Sequence, residues 1–334
     1  MNITNAIGSR ALRSMLVVLG LALIAGCARK AADDNTFDTP DAAVAAFVTA
    51  LEQYDVPRLQ ALLGPDSGDL LQSGDAVQDK GDREQFLSAY KAKHSLTEDG
   101  ADRRILVVGN EDWPMPIPLV QRDGKWSFDG EAGIDELIYR RVGANELGAI
   151  DVCRGFVSAQ IEYASEGRDG DPPGIYALKV GSDEGLHNGL YWPTAEGEPP
   201  SPAGPFVAAA VAEGYRKAAD GKRLPYHGYN YRMLYTQGPN ANGGAREYFK
   251  DGLLTEGFAL IAWPADYGAS GVMTFIVNQD GVVFQKDLGE EKGRSGRCRR
   301  DWRIAGLGSA SSPGWGSAES AAGVRPRRFR PGMP

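Results

Sequence analysis

The sequence predicts an α+β fold, because helical and strand patterns occupy separate stretches of the chain. Residues 40–93 carry apolar side chains at helical spacing, and residues 105–128 change to short apolar runs separated by turns. A second helical pattern begins at Ile134, and residues 226–287 again alternate in the manner of strands. Helices and antiparallel strands that segregate in this way are typical of α+β proteins, whereas parallel sheets require regular alternation of strand and helix.

Length and composition indicate a folded, acidic protein with room for two modest domains. The chain has 334 residues, of which 42% are hydrophobic and 24% are charged, so it is neither a disordered chain nor a polytopic membrane protein. Its 44 acidic residues outnumber 36 Lys and Arg and give a formal net charge of -8. Nucleic-acid binding requires a basic surface, so no nucleic-acid partner is expected.

The first 26 residues have the layout of a secretory signal peptide. Arg10 and Arg13 precede an apolar run of eleven residues, 15–25. A membrane-spanning helix needs about 20 apolar residues, so this run is too short for a permanent span.

The end of this run, Ile24-Ala25-Gly26-Cys27, resembles the lipobox of bacterial lipoproteins. The resemblance implies cleavage before Cys27 and attachment of the protein to the membrane through a lipid on that cysteine. Residues 27–37 then form a lipidated tether. Ala28 rather than Asp follows the cysteine, which in the sorting rule of such lipoproteins implies the outer membrane, facing the periplasm. We therefore expect a lipid-anchored protein of the cell envelope; the alternative is an ordinary signal peptide with a chance cysteine.

Residues 38–140 predict an N-terminal α+β unit in which helices precede a meandering sheet. Helices are expected from Thr39-Pro40, from Asp55 and over residues 83–93. Strands are expected over residues 105–108, 117–121 and 125–128. This layout is similar to the nuclear-transport-factor-like cone, whose members include both enzymes and binding modules, so the fold alone does not fix the function.

Residues 141–289 predict a second α+β unit, a helix packed on an antiparallel sheet. Segments 144–150 and 158–165 resemble type IV pilins and pseudopilins at the point where the long helix enters the globular head. The buried face of this helix is expected to consist of Ile150, Cys153, Val157 and Ile161, with Phe156 and Tyr163 beside it. The strands of the head are expected over residues 226–236, 257–265, 272–278 and 282–287.

The helical stretch before this unit departs from the pilin pattern. It contains Asp135, Glu136, Arg140 and Arg141, which make it too charged for a lipid bilayer or a filament core. We therefore expect the C-terminal unit to share the pilin-head fold without polymerising.

Over residues 38–289 the chain resembles domain-of-unknown-function family 2950, a family of bacterial lipoproteins. The stretches that carry the resemblance are Asn110-Glu111-Asp112-Trp113-Pro114, Gly189-Leu190-Tyr191-Trp192-Pro193, Pro225-Tyr226-His227-Gly228-Tyr229 and residues 257–289. The resemblance is long, but it implies no assigned chemistry.

Residues 290–334 break from this composition and predict a disordered basic tail. Residues 291–334 hold nine Arg and one Lys against three acids, a net charge of +7. They show no helical or strand period that could support a core. Two interpretations are open. One is a basic arm that binds anionic lipid; the other is an accidental extension such as a shifted reading frame, which the isolated Trp302 and Trp315 favour.

The sequence lacks the familiar catalytic, cofactor and metal motifs. Its three histidines are far apart, and no nucleophile elbow, phosphate-binding loop or dinucleotide fingerprint occurs. No cofactor, metal or catalytic residue is therefore predicted. Asp169 and Asp171 alternate as in a calcium loop, but Pro173 takes the next ligand position, so a polar turn is the preferred interpretation.

Aromatic residues of the C-terminal unit are the candidate binding residues. They are Tyr226, His227, Tyr229, Trp192 and Trp263, whose rings suit stacking on an envelope glycan or contact with another envelope protein. The competing interpretation is a core, because alternation along a strand places every second ring on one face and an antiparallel sheet buries one face. We favour the core interpretation for this strand and keep His227 as the residue that faces a groove.

Two classes of function remain open. The preferred one is a non-enzymatic envelope module that binds a partner through the C-terminal unit or a groove between the units. The alternative is a hydrolase-type enzyme that uses carboxylates of the N-terminal unit, such as Asp112 or Asp129 beside Trp113 and Trp126. A deep pocket enclosing an acid would favour the enzyme, whereas a filled cone would favour binding.

Overall fold

The computed structural model describes residues 35–215, 224–239, 241 and 243–290, together with the backbone of residues 316–317. The predicted signal peptide, the lipidation site Cys27, most of the tether and most of the basic tail lie outside these residues. Within them the chain forms helices and antiparallel sheets, so the predicted α+β class is confirmed. None of the described helices combines the length and apolar character needed to cross a membrane.

Four helices open the described chain: α1 (Pro40–Gln53), α2 (Val56–Leu63), α3 (Gly68–Leu71) and α4 (Ala76–Ala92). Thr39 caps α1, because its Oγ1 accepts a hydrogen bond of 3.1 Å from the amide of Ala42. Pro40 occupies the first turn of α1, where its missing N–H leaves no helical hydrogen bond unmade.

The N-terminal sheet is a meander of β1 (His94–Glu98), β2 (Arg103–Val108), β3 (Trp113–Pro114), β4 (Leu119–Arg122) and β5 (Lys125–Phe128). Its order is β1-β2-β4-β5, with β3 on β2, and all pairs are antiparallel. The sheet begins earlier in the chain than the sequence predicts. Apolar periodicity does not reveal β1, because most of its side chains are polar and none of them is buried.

The third predicted helix also begins earlier than expected, at Ala76 rather than at residue 83. Asp75 is its N-cap, and the Oδ1 atom accepts hydrogen bonds from the amides of Val77 and Gln78, both of 3.2 Å. The sequence analysis missed this start because the first two turns of α4 carry no apolar residue at core spacing. The cap, not hydrophobic periodicity, sets the beginning of the helix.

The longest helix, α5 (Ile134–Ser165), has 32 residues and belongs to both halves of the fold. Ile134, Ile138 and Val142 join the N-terminal core. From Ala149 onward its buried side chains join the C-terminal core, including Cys153, whose burial raises the pKa of the thiol to about 12. The predicted boundary between residues 140 and 141 therefore lies within a continuous helix.

The expected burial of Ile161 is wrong, because this side chain is 56% exposed. Ile150, Cys153 and Val157 are buried as predicted, but the next inward position is Gln160. Its amide donates a hydrogen bond to the carbonyl of Ala177 and accepts one from the amide of Ala177, both of 2.9 Å. The buried backbone of Ala177 thus needs a polar partner, and Gln160 supplies it from the helix. Apolar periodicity does not reveal such a requirement.

The C-terminal half contains α6 (Gly204–Ala212) and an antiparallel sheet of order β14-β13-β12-β11-β6. Its strands are β6 (Tyr229–Leu234), β11 (Ala259–Pro264), β12 (Met273–Asn278), β13 (Phe284–Asp287) and β14 (Gly316–Ser317). Four two-residue strands form two small ladders: β7 (Thr236–Gln237), β8 (Arg246–Glu247), β9 (Phe249–Lys250) and β10 (Leu253–Leu254). The inner half of α5 packs on β11 and β12.

Candidate functional site

A cavity of about 840 Å³ opens in the N-terminal half between α4 and the elements that face it. Its walls come from α1, α2, α3, α4, α5, β2, β3 and the turn between β2 and β3. Most of the lining side chains are apolar: Phe47, Leu51, Leu59, Leu63, Leu70, Leu71, Phe86, Val108, Trp113, Met115 and Leu137. The side chains of the N-terminal half therefore leave an open space between its helices and its sheet.

Helix α4 forms one wall of this cavity and buries none of its residues. Asp79, Asp82, Phe86 and Ala89 all line the cavity, at successive spacings of three, four and three residues. Such spacing places them on one face of a helix. The stripe is acidic at its amino-terminal end and apolar beyond it, and it runs for roughly 15 Å from Asp82 to Ala92 at 1.5 Å per residue.

Arg141 anchors the acidic end of the cavity. Its Nε donates to the carbonyl of Ala269 at 3.0 Å, its Nη1 donates to the carbonyl of Leu70 at 2.8 Å, and its Nη2 donates to the carbonyl of Asp69. The Nη1 atom also lies 3.9 Å from Oδ1 of Asp79, and both side chains are 8% exposed. Burial lowers the pKa of Arg141, against the opposing effect of nearby Asp79 and Asp82.

The two carboxylates of the stripe have different surroundings. Asp79 accepts hydrogen bonds from Oγ of Ser73 at 2.6 Å and from the amide of Ser73 at 3.1 Å. Asp82 makes no hydrogen bond or ion pair with any residue that the structure describes. Asp82 is exposed to water in the cavity, although nearby protein atoms exclude part of the water around its carboxyl. Burial raises the pKa of both carboxyls above the ordinary value of 3.8, and Arg141 only partly offsets this for each.

Two further arginines line the cavity, and each already interacts with another side chain of the protein. The guanidinium of Arg83 lies 4.0 Å from the centre of the Tyr54 ring. Arg140 donates from its Nε to Glu136 at 2.8 Å, one helical turn earlier. The cavity thus combines an apolar body with the carboxylate of Asp82, which no described residue pairs with, near its charged end.

Hydrogen bonds tie the start of α4 to the C-terminal half. Oδ2 of the buried Asp75 accepts from the Tyr215 hydroxyl at 2.9 Å and from the amide of Gly228 at 3.0 Å. Gln78 donates to the side chain of buried Asn145 at 2.7 Å, and Asn145 donates to the carbonyl of Ser270 at 2.8 Å. The wall of the cavity is therefore fixed at one end by residues from distant parts of the chain.

The carboxylates suggested for a hydrolase lie outside this cavity. Asp112 is exposed and accepts a hydrogen bond of 2.7 Å from Lys93. Asp129 pairs with Arg122 at 3.4 Å. Both therefore act as surface ion pairs, and the acids that line a cavity are Asp79 and Asp82. Their spacing of i and i+3 ahead of Phe86 is a usable sequence signal once Asp75 is recognised as a helix cap.

The candidate binding residues at the start of β6 are occupied within the fold. His227 has a left-handed backbone with φ of 48°, its Nε2 lies 2.6 Å from Oε2 of Glu213, and its ring stacks on Tyr226 at 4.1 Å. Tyr229 is fully buried and donates its hydroxyl hydrogen to the carbonyl of Met273 at 2.9 Å. The core interpretation is therefore confirmed for Tyr229, while His227 remains partly exposed.

The two tryptophans lie elsewhere and have cationic neighbours. The guanidinium of Arg168 lies 5.3 Å from the centre of the Trp192 ring, and His187 approaches the same ring at 4.5 Å. Arg232 lies 5.8 Å from the Trp263 ring. Among the described residues, no ring contact joins Trp192, Trp263 and the Tyr226 pair into one surface.

The weak calcium candidates form a hydrogen-bonded turn. Oδ2 of Asp169 accepts a bond of 2.7 Å from the amide of His187, and Asp169 has a left-handed backbone with φ of 49°. Across the part of the chain that the structure describes, no group of three or more His, Cys, Asp or Glu is placed to hold a metal ion.

Comparison with known proteins gives one match. A family model described as "Protein of unknown function (DUF2950)" matches residues 34–301, most of the chain. The match continues past Gly289, where the sequence analysis ended its resemblance. No curated protein and no solved structure matches the chain.

Proposed function

Because the chain belongs to the DUF2950 family of proteins of unknown function, we propose its role from its own geometry: the cavity beside α4 binds a small, largely apolar molecule. The observation that carries this proposal is the cavity of about 840 Å³ with mostly apolar walls. Small-molecule sites are typically about 300–1,000 Å³, are lined by apolar and aromatic side chains, and contain a few polar groups.

The partly exposed apolar side chains of the walls supply the driving force for binding. Apolar surface in contact with water is unfavourable by roughly 25 cal/mol per Å², so a ligand that covers it is stabilised in proportion to the area covered. Helix α4 contributes Phe86 and Ala89 to the cavity without burying either. Both side chains pack partly against the N-terminal core, and a bound molecule would cover the part of each that the core leaves exposed.

A fluorescence experiment tests this proposal. The neutral dye N-phenyl-1-naphthylamine, which brightens in apolar surroundings, should bind the full-length protein with saturable enhancement. Ser88→Phe introduces a ring into the cavity lining at an exposed position and should abolish the enhancement. Ser158→Phe, on the exposed side of α5 and away from the cavity, is the matched control and should bind dye as the wild type does.

Equal dye binding by wild type and Ser88→Phe would place the dye elsewhere, and the proposal would then be wrong. Thermal unfolding of both variants should match that of the wild type, because each change adds an apolar group at an exposed site without removing a contact.

We further propose that this binding takes place in the cell envelope, with the protein attached by a lipid on Cys27. The support is the sequence of residues 10–27: a charged start, a short apolar run and small residues before the cysteine. Labelling of cells with a clickable fatty acid should mark the wild type and not Cys27→Ala. Failure to label the wild type would exclude the anchor and would leave the cavity proposal untouched.

Acid catalysis in the same cavity is the second candidate, and the environment of Asp82 favours it. Burial raises the pKa of this carboxyl, and a protonated carboxyl next to a bound substrate can act as a general acid. Binding remains the better-supported function, because among the described lining residues no cysteine or histidine accompanies the acid. Hydrolysis of nitrophenyl esters or glycosides that disappears in Asp82→Asn would establish the enzyme.

A further inference from the structure

The charged groups that face the cavity are three arginines and three acids: Arg83, Arg140, Arg141, Asp79, Asp82 and Glu111. Arg141 is held by three carbonyls and Asp79, and Arg140 is held by Glu136. Arg83 covers the ring of Tyr54. All three arginine side chains therefore already interact with groups of the protein.

The three acids make fewer interactions with the protein than the arginines do. Asp79 is bound by Ser73, and Glu111 lies in the turn between β2 and β3, beyond the apolar part of the stripe. Among the described residues, neither Asp82 nor Glu111 makes a hydrogen bond or ion pair, and of these two it is Asp82 that lies on the α4 stripe, one turn from Asp79 and one turn before Phe86. A carboxylate in this position favours a cation beside it and repels a second anion.

The apolar walls limit what such a cation can be. Phe86, one turn after Asp82, contacts Trp113 with ring centres 6.4 Å apart, and Ala89 continues the same wall. A hydrated metal ion would gain nothing from these side chains. An organic cation with an apolar body could place its charged head at Asp82 and its body along the roughly 15 Å of wall that follows.

We propose that the ligand of this cavity is an amphipathic amine, whose ammonium group pairs with Asp82 and whose apolar part lies against Phe86, Ala89 and Trp113. This inference rests on the proposed function, because it names the chemical class of molecule that the same cavity binds.

Competition against the neutral dye tests the amine directly. Decylamine, decan-1-ol and decanoate have the same apolar chain and differ in the charge of the head group. Each is titrated below its micellar range into the full-length protein loaded with N-phenyl-1-naphthylamine. Decylamine should displace the dye at a concentration at least about tenfold lower than the other two, the effect of one added ion pair of about 1.4 kcal/mol.

Variants of α4 assign the preference to one carboxylate. Asp82→Asn should keep dye affinity and remove the advantage of decylamine over decan-1-ol. Glu84→Gln is the matched control, because it removes one negative charge from the same helix at an exposed position paired with Lys80. This control should keep the preference for the amine unchanged.

The outcomes separate this inference from the proposed function. If the dye binds the cavity but decanoate competes best, the arginines rather than Asp82 recognise the head group, and the amine proposal is wrong while the cavity proposal stands. Equal competition by all three chains also overturns the amine proposal. If no dye binds to the wild type or if binding survives Ser88→Phe, the proposed function itself fails.

Discussion

Asp82 occupies a position that is unfavourable for a charged group in a folded protein. It is exposed to the cavity, but partial burial and the charge of Asp79 raise its pKa, and Arg141, whose charge opposes this rise, is already bound to carbonyl oxygens and to Asp79. Residues that are unfavourable for folding yet face a cavity are typical of functional sites, where stability and activity conflict.

Asp82→Asn should therefore stabilise the protein at neutral pH. A raised pKa means that the folded state holds the proton more tightly than the unfolded state, so ionisation of Asp82 lowers the free energy of unfolding. This loss is complete above the raised pKa and absent below the ordinary value of 3.8. The melting temperature of the variant should exceed that of the wild type at pH 7 and match it near about pH 3.

Glu84→Gln provides the comparison for that measurement. The hydrogen bond from Lys80 lowers the pKa of Glu84, so ionisation of this group favours the folded state slightly, in the opposite direction to Asp82. A fall in melting temperature at pH 7 on Asp82→Asn would show that the carboxylate has a stabilising partner and is not free.

Sequence patterns locate the residues of the two cores better than those of the candidate site. Ile150, Cys153 and Val157 are predicted to be buried and are buried, because local spacing alone identifies the inner face of a helix. Asp79 and Asp82 are not distinctive in sequence, since acids on a helix are ordinarily solvated. They become significant through the cavity, which depends on contacts between residues far apart in the chain.

At the level of elements, α4 depends on its ends. No residue of this helix is fully buried, although its second half packs partly against the N-terminal core. Its amino-terminal end relies on the cap at Asp75 and on the hydrogen bonds that Asp75 accepts from Tyr215 and Gly228. A helix held in this way keeps the cavity open where a helix with a strongly apolar face would close onto the sheet.

Asp75→Ala should destabilise the protein more than the loss of an ordinary helix cap does. Removal of a cap costs about 1 kcal/mol, and each buried donor left without an acceptor costs about 1–3 kcal/mol more. We expect a loss of roughly 3 kcal/mol in the free energy of unfolding by urea titration. Asp75→Asn keeps an acceptor oxygen and should lose less; equal losses in the two variants would argue against the hydrogen-bond account.

The strands that apolar periodicity does not predict share one physical property. Strand β1 and the two-residue strands β7 to β10 bury few or no side chains on a regular period. Backbone pairing with a neighbouring segment creates them, and hydrophobic periodicity does not report such pairing. Strands β5, β11 and β12, which bury side chains in a core, are predicted to within about two residues.

At the scale of the whole molecule, the described part of the C-terminal segment beyond residue 290 pairs with the C-terminal sheet. Strand β14 adds Gly316 and Ser317 to the free edge of β13. The end of the family match at residue 301 precedes this strand, so the pairing lies outside the family's common region.

Ending the chain at Asp301 should leave the melting temperature within about 2 °C of the wild type, because two small residues on an edge strand bury little apolar surface. Differential scanning fluorimetry measures this. Light scattering on the same sample reports whether the exposed edge of β13 now pairs between molecules; aggregation or a clear loss of stability would show that the tail protects that edge.

Helix α5 limits where insertions and deletions can occur in sequences of this family. The N-terminal core uses its residues up to Val142, and the C-terminal core uses those from Ala149. Each residue added or lost between these positions would rotate one buried face against the other by about 100° and shift it by about 1.5 Å. Insertions and deletions should therefore be confined to loops on either side of this helix, and the six residues between the cores should keep a fixed number.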